Sequence, residues 1–273
     1  MGMNQNRRMA CAGLVLAPLL AIAGPVLAAG GTDQEREERW QDLRQSIFGE
    51  RPVEDGAGLI TLEAPARALD AALVPLTIRI APEQRDRVAA VHLVIDDNPS
   101  PYAARASFGP AGDPVVLRLR VRIDGYTNVH AVAETKDGQL YGTAAFVKAS
   151  GGCSAPIGVS DEVAMQGMGE MKLRPGGPDM HGEATLLIRH PNFSGMQMNQ
   201  LTRTYTPARY LDLVRISQGD QTVLELAGDI SLASDPAIGF AYRPGEADAF
   251  TVLATDSDGA SWQESFPIPA NTQ

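Results

Sequence analysis

Two hydrophobic periods divide this chain. Between Gly30 and Gly49 the sequence is polar and charged, with Trp40, Leu43, Ile47 and Phe48 recurring three or four residues apart. That spacing places them on one face of an amphipathic helix, with Thr32 or Asp33 as its cap and Gly49 as its end. From about Leu59 to Val147 the period falls to two. Pro75 to Ile80 and Val91 to Ile95 alternate. Most clearly, Leu117, Leu119, Val121 and Ile123 point one way and Arg118, Arg120 and Arg122 the other. Half-buried antiparallel strands read like this, and the arginine row is expected to face solvent. Strands over 127–134 and 140–147 follow, separated by the hairpin signal Lys136-Asp137-Gly138. Asp96 to Pro101 is a turn-rich break. Six or seven short strands with regular turns predict a β-sandwich.

The pattern stops at about residue 149. Gly151, Gly152, Pro156, Gly158, Gly167, Gly169 and the run Pro175-Gly176-Gly177-Pro178 mark a flexible linker, with one short helix expected around 161–171. Strand-like segments resume over 184–190, 210–216, 222–227, 238–242, 250–254 and 262–266, with a hairpin turn at Asp256-Ser257-Asp258-Gly259. The expected class is all-β, with two β-sandwich domains joined by a Gly/Pro-rich linker and one N-terminal helix. Its divisions are a first domain over 29–148, a linker over 149–181 and a second domain over 182–273. The chain is long enough for each domain to bury a core of its own.

Residues 1–28 have the order of a secretory signal peptide. Arg7 and Arg8 are followed by the apolar run Ala10 to Ala23 and then Val26-Leu27-Ala28, with cleavage expected after Ala28. The apolar run is too short to span a bilayer, and the expected location is the periplasm. Cleavage would remove Cys11 and leave Cys153 alone. A single cysteine in an oxidising compartment is either an intermolecular link or a free thiol. The whole chain has 23 Lys+Arg against 33 Asp+Glu, and 21 against 33 without Arg7 and Arg8. That balance excludes nucleic acid and anionic membrane surfaces as expected partners.

Enzyme signatures are missing from the sequence: there is no His-Glu-x-x-His, Gly-x-Ser-x-Gly, P-loop or Cys-x-x-Cys. His92 and His130 fall inside strands and are expected to be ordinary strand residues. His190-Pro191 is expected to be a turn. No catalytic residue, metal or cofactor is assigned. Cys153 stands apart because Gly151 and Gly152 precede it and Ser154-Ala155-Pro156 follow it. With little apolar material nearby, this segment is expected to present the thiol on a mobile arm reaching roughly 20 Å from the last strand. An ordinary pKa near 8.5 would leave about 3% thiolate at pH 7, which suits a carrier activated by its partners.

The residues around Cys153 carry a resemblance. Phe146 to Cys153 resembles the end of the Y subunit of the sulfur-oxidation (Sox) carrier, where a Gly-Gly-Cys-Gly-Gly arm holds bound sulfur intermediates. Leu187 to Pro191, then Ser194-Gly195 and Pro207-Ala208-Arg209-Tyr210, resemble the start of the Z subunit. A Y-like half followed by a Z-like half is the arrangement of the quinoprotein dehydrogenase-associated SoxYZ-like family. The resemblance implies two immunoglobulin-like sandwiches and a non-catalytic carrier. It implies a thiosulfate-type conjugate on Cys153 and periplasmic sulfur-oxidation or quinoprotein dehydrogenase enzymes as partners. One departure is plain: Cys153 is internal, so its arm would enter a partner as a doubled loop.

Two other classes fit particular residues. Met165, Met168, Met171, Met180, Met196 and Met198 crowd the linker and the following loop, with His181 among them. Thioethers and a thiolate suit copper(I), although a short docking helix with a methionine stripe explains the first three better. Alternatively, the arginine row serves an adaptor that docks a periplasmic quinoprotein dehydrogenase.

Overall fold

The structure is a computed structural model, and it describes residues 1–2, 30–177, 182–199 and 202–268. Apart from its first two residues, the expected signal peptide lies outside the described residues, as do Cys11, Met180 and His181. Among the described residues, no helix is long and apolar enough to cross a membrane.

The N-terminal helix α1 spans Asp33–Phe48. Thr32 caps it: its hydroxyl accepts from Glu35 N at 3.2 Å, and the Glu35 carboxylate accepts from Thr32 N at 2.6 Å. This reciprocal pair satisfies two donors that the first turn would otherwise leave open. Gly49 ends the helix at φ 64°, a left-handed conformation that glycine adopts without steric cost. Thr32→Ala is expected to destabilise the docked helix by about 1 kcal/mol. The measurable result is roughly fivefold faster amide exchange over Asp33–Phe48. Unchanged exchange would show that the cap contributes nothing.

Among the described residues, fifteen strands build two sheets. The larger contains β1 (Val53–Asp55), β4 (Val88–Ile95), β5 (Tyr102–Phe108), β7 (Thr127–Thr135), β8 (Leu140–Val147), β11 (Leu211–Gln218), β12 (Gln221–Gly228), β14 (Ala249–Asp256) and β15 (Ser261–Pro267). Its order is β1-β8-β7-β4-β5-β12-β11-β14-β15. The smaller contains β2 (Ile60–Glu63), β3 (Val74–Ile80), β6 (Gly112–Val121), β9 (Met171–Pro175), β10 (Glu183–Ile188) and β13 (Ala237–Tyr242), in the order β2-β3-β6-β13-β10-β9. The all-β class therefore holds.

The two halves are joined through both sheets. β5 pairs antiparallel with β12, placing Ala106 opposite Leu226, and β6 pairs with β13, placing Leu117 opposite Phe240. One hydrophobic cluster runs from Leu76, Leu93 and Ile123 to Leu186, Leu226 and Phe250. The expectation of two separate cores is thus replaced by a single core between two continuous sheets. Strand edges at the junction pair with each other instead of facing water.

The linker is also more structured than its glycine content suggests. A short helix α2 occupies Asp161–Ala164 and stops before the methionines, so Met165, Met168 and Met171 do not form a helical stripe. Met171 opens β9 and is buried in the core.

Helix α1 covers the far side of the larger sheet. Along β7, Val129, Ala131 and Ala133 face the main core, while Val132 packs with Phe48 and Leu140 in a second cluster. Trp40 stacks on His130 with centroids 3.7 Å apart and planes 6° from parallel, and Phe48 meets His92 edge-on at 5.2 Å. Each imidazole is held by a carboxylate: His130 Nε2 lies 3.1 Å from Asp96, and His92 Nε2 lies 3.1 Å from Glu134. These histidines form a docking floor for the helix.

Candidate functional site

The chain leaves β8 and folds at once into a tight turn against the end of β6. Gly151 N donates to Asp124 O at 2.7 Å, Gly152 N donates to Ile123 O at 3.0 Å, and Cys153 N donates to Asp124 Oδ1 at 3.3 Å. Asp124 is itself fixed by Asn98, whose side chain accepts from Asp124 N at 2.9 Å and donates to Arg122 O at 2.8 Å. Asn98 also donates to Ser231 Oγ at 2.9 Å, tying the turn's floor to the second half.

This overturns the expectation of a mobile, exposed arm. Cys153 is 0% exposed. The two glycines serve packing. A Cβ on Gly152 would lie 2.1 Å from Ala71 O and 2.6 Å from Ile123 O, so only glycine allows the turn to approach this closely. A Cβ on Gly151 would meet only Ser154 Oγ, at an ordinary 3.8 Å, but the residue sits at φ 72°, where other residues are strained.

The second half closes over the turn. The loop after β10 runs from His190 to Gln197, and the Ser194 hydroxyl donates to the carbonyl of Cys153. Beneath that loop His190 is fully buried. Its Nδ1 accepts from Asn192 N at 3.1 Å and its Nε2 lies 3.4 Å from Asp256, which also accepts from Arg209 at 2.8 Å. Trp262 meets the imidazole edge-on at 5.9 Å. His190-Pro191 is therefore the root of the lid loop and more than a turn. Asn192 adopts φ 42°, and its side chain donates to Ala233 O at 3.0 Å.

Arg122 is the residue the alternation misplaces. Expected to face solvent with Arg118 and Arg120, it is 1% exposed. β6 ends at Val121, and the chain beyond it no longer follows the outward phase of the strand. Arg122 Nη1 donates to Gly152 O and Nη2 to Asn192 O, both at 3.3 Å, so one guanidinium bridges the turn and the lid. Burial lowers its pKa, an effect opposed by Cys153 and Asp70. Arg118 pairs with Glu183 at 2.6 Å, and Arg120 is exposed.

The electrostatics disfavour a resting thiolate. Burial pushes the Cys153 thiol up to about 12. The Asp124 carboxylate pushes in the same direction, and Arg122 opposes both. The thiol is therefore protonated at neutral pH in this closed form. Beyond Cys153, residues 156–161 run beside Phe193, Gln197, Met198 and Thr206, and the two segments line a cleft of about 440 Å3. Thr206 Oγ1 donates to Asp161 across it at 2.9 Å.

Of the expected site residues, the structure brings Gly151, Gly152 and Cys153 into one turn. It adds Arg122, Asp124, Asn192, Ser194 and Gln197, which no local pattern marks. Among the described residues no group of three or more His, Cys, Asp or Glu side chains is arranged to hold a metal ion.

The fold and the site define a class: an all-β protein of two halves, built around one cysteine in a glycine turn at their junction. Comparison with protein families makes the class specific. Residues 44–153 match the model for sulfur oxidation protein SoxY, and residues 177–267 match the model for sulphur oxidation protein SoxZ. The first match ends on Cys153 itself. Among solved structures, the sulfur carrier protein SoxY from Chlorobium limicola f thiosulfatophilum is 25% identical. The alignment covers 42% of this chain and 94% of that one, with a TM-score of 0.34. No curated protein matches. The chain belongs with the SoxYZ-like sulfur carriers, its SoxY and SoxZ domains fused in that order.

Proposed function

We propose that this protein carries a sulfur compound covalently on Cys153, in a periplasmic setting, and presents it to partner enzymes that load and unload it. The observation that carries the reading is the end of the SoxY match on Cys153. A thiosulfate-type conjugate is the cargo the family resemblance favours. A quinoprotein dehydrogenase system is the particular partner proposed.

The closed turn defines what a carrier cycle needs. A thiol with no exposed surface and a raised pKa is shielded from stray oxidants. Loading then requires that the turn release the Ser194 and Arg122 contacts and move outward. The surroundings suit an incoming protein. Of the exposed large apolar side chains, Leu69 and Leu73 flank Ala71 on the floor of the turn, and Val159, Val163 and Tyr205 lie on or next to the segments that line the cleft beside the lid. Ala71, between the first two, takes the close approach of Gly152. Apolar side chains gathered around one feature mark a contact surface better than scattered ones do.

The test is Cys153→Ser in the parent cell, together with intact mass of the wild-type protein after exposure to a thiosulfate-oxidising extract. Loss of sulfur-dependent function in the variant and a single adduct on wild-type Cys153 are expected. Full function in the variant would overturn the carrier reading and leave an adaptor role in its place.

A further inference from the structure

Three buried side-chain atoms among the described residues have no hydrogen-bond partner: Asp96 Oδ1, Arg122 Nε and Gln197 Nε2. Two of the three are donors, and both flank the Cys153 turn. Arg122 holds the Gly152 carbonyl, and Gln197 accepts from Ser194 N at 2.8 Å, beside the hydroxyl that holds the Cys153 carbonyl.

The arginine is the sharper anomaly. It remains protonated in a protein, so its burial brings a full charge into the interior. A buried charge is ordinarily paired with an opposite one. Among the described residues no carboxylate oxygen lies within ion-pair distance of it. Its hydrogen bonds to the turn and the lid go to neutral carbonyls, both at 3.3 Å. A neutral amide would bridge two carbonyls without the desolvation cost. The extra charge has a use only if an anion joins it.

We propose that Arg122, with Gln197 as second donor, is the receptor for an anionic sulfur–oxygen group carried on Cys153. This rests on the carrier reading and assigns the receptor end of it. A planar guanidinium with a free Nε–H suits the oxygens of a sulfonate-type terminus. Asp124, whose carboxylate accepts from Cys153 N, repels the same charge while Arg122 attracts it. In the empty carrier Arg122 has only the longer-range pull of Asp70, and in the loaded carrier it gains an anion in direct contact.

The pairing can be tested without any partner enzyme. The chain without residues 1–28, in which Cys153 is the one cysteine, is labelled in denaturant with either of two reagents and then refolded. With tetrathionate, the thiolate attacks a central sulfur after losing its proton to solvent. The Sγ–S bond forms, and thiosulfate departs with the electron pair of the broken S–S bond. The product ends in –S–SO3⁻. With methyl methanethiosulfonate, the same attack expels methanesulfinate and leaves a neutral –S–CH3.

In the wild type the anionic label is expected to melt at least about 4 °C above the neutral one. In Arg122→Met the order should reverse, and in Gln197→Met the gap should shrink. Replacing a buried charge by an apolar side chain of similar length is often tolerated. If Arg122→Met does not fold, Arg122→Lys decides, with a gap reduced because the planar fork is lost. The proposal is overturned by the same gap in wild type and Arg122 variant, by a wild type that melts higher with the neutral label, or by an anionic wild-type adduct that alone fails to refold. Each of those results leaves the carrier reading standing, since that reading falls only to a functional Cys153→Ser.

Discussion

Alanine at position 152 is expected to destabilise the protein by about 3 kcal/mol or more, and to make Cys153 react about a hundredfold faster with a thiol reagent at pH 8. The cause is contact with main chain. The new Cβ would meet the carbonyls of Ala71 and Ile123, at 2.1 and 2.6 Å. Neither can rotate away as a long side chain would. Both belong to the floor under the turn, where Ile123 N already donates to Ala71 O at 2.8 Å. The turn must therefore lift, breaking the Gly152–Ile123 bond and uncovering the thiol. Reactivity through local opening rises with the fall in opening free energy, which sets the hundredfold figure. Gly151→Ala provides the contrast. Its φ of 72° costs about 1 kcal/mol in a non-glycine residue, but no neighbour blocks a Cβ there. Its rate should rise tenfold or less. Equal and small effects at both positions would mean that the glycines supply flexibility and that the packing account is wrong.

That contrast shows where sequence reasoning stopped. The period-two strands from Pro75 onward, the Thr32 cap and the hairpins at Gly138 and Gly259 are legible because each depends on neighbours within a few residues. β9 was hidden because Met171–Pro175 sits in glycine- and proline-rich surroundings and gains its strand form from pairing with β10. The burial of Cys153 was hidden for a related reason. Its cover comes from Asn192 and Ser194, about forty residues along the chain, and from Arg122 about thirty residues before it. A Gly-Gly-Cys segment reads as mobile when only its own composition is weighed. The same two glycines permit contacts closer than any side chain would allow. Arg122 lies one residue beyond the end of β6 at Val121, so the outward phase of the strand does not apply to it. A usable signal was the lone cysteine itself, since unpaired cysteines are among the most often buried residues.

Above about pH 8.5 the wild-type protein is expected to lose stability that Cys153→Ala keeps. In the unfolded chain the thiol ionises near its ordinary value of about 8.5. In the fold, burial and then the Asp124 carboxylate push it up to about 12, with Arg122 opposing. The folded state thus holds its proton over a range in which the unfolded state gives it up. Stability from the buried neutral thiol is fully present below about pH 8.5. It declines as pH rises toward the folded value, by at most about 1.4 kcal/mol per pH unit. Urea denaturation at pH 8, 9, 10 and 11 would measure it. Lysines and tyrosines titrate alike in both chains, so the difference between wild type and variant isolates Cys153. Parallel curves across that range would show that the thiol is not held neutral by the closed turn. A widening gap would show that ionisation and opening are linked. A partner that draws the turn outward would then return the thiol toward its ordinary pKa and raise its thiolate fraction at neutral pH. On the carrier reading, escape from burial and from the Asp124 carboxylate is what activates the sulfur, and release of the Ser194 contact is what permits it.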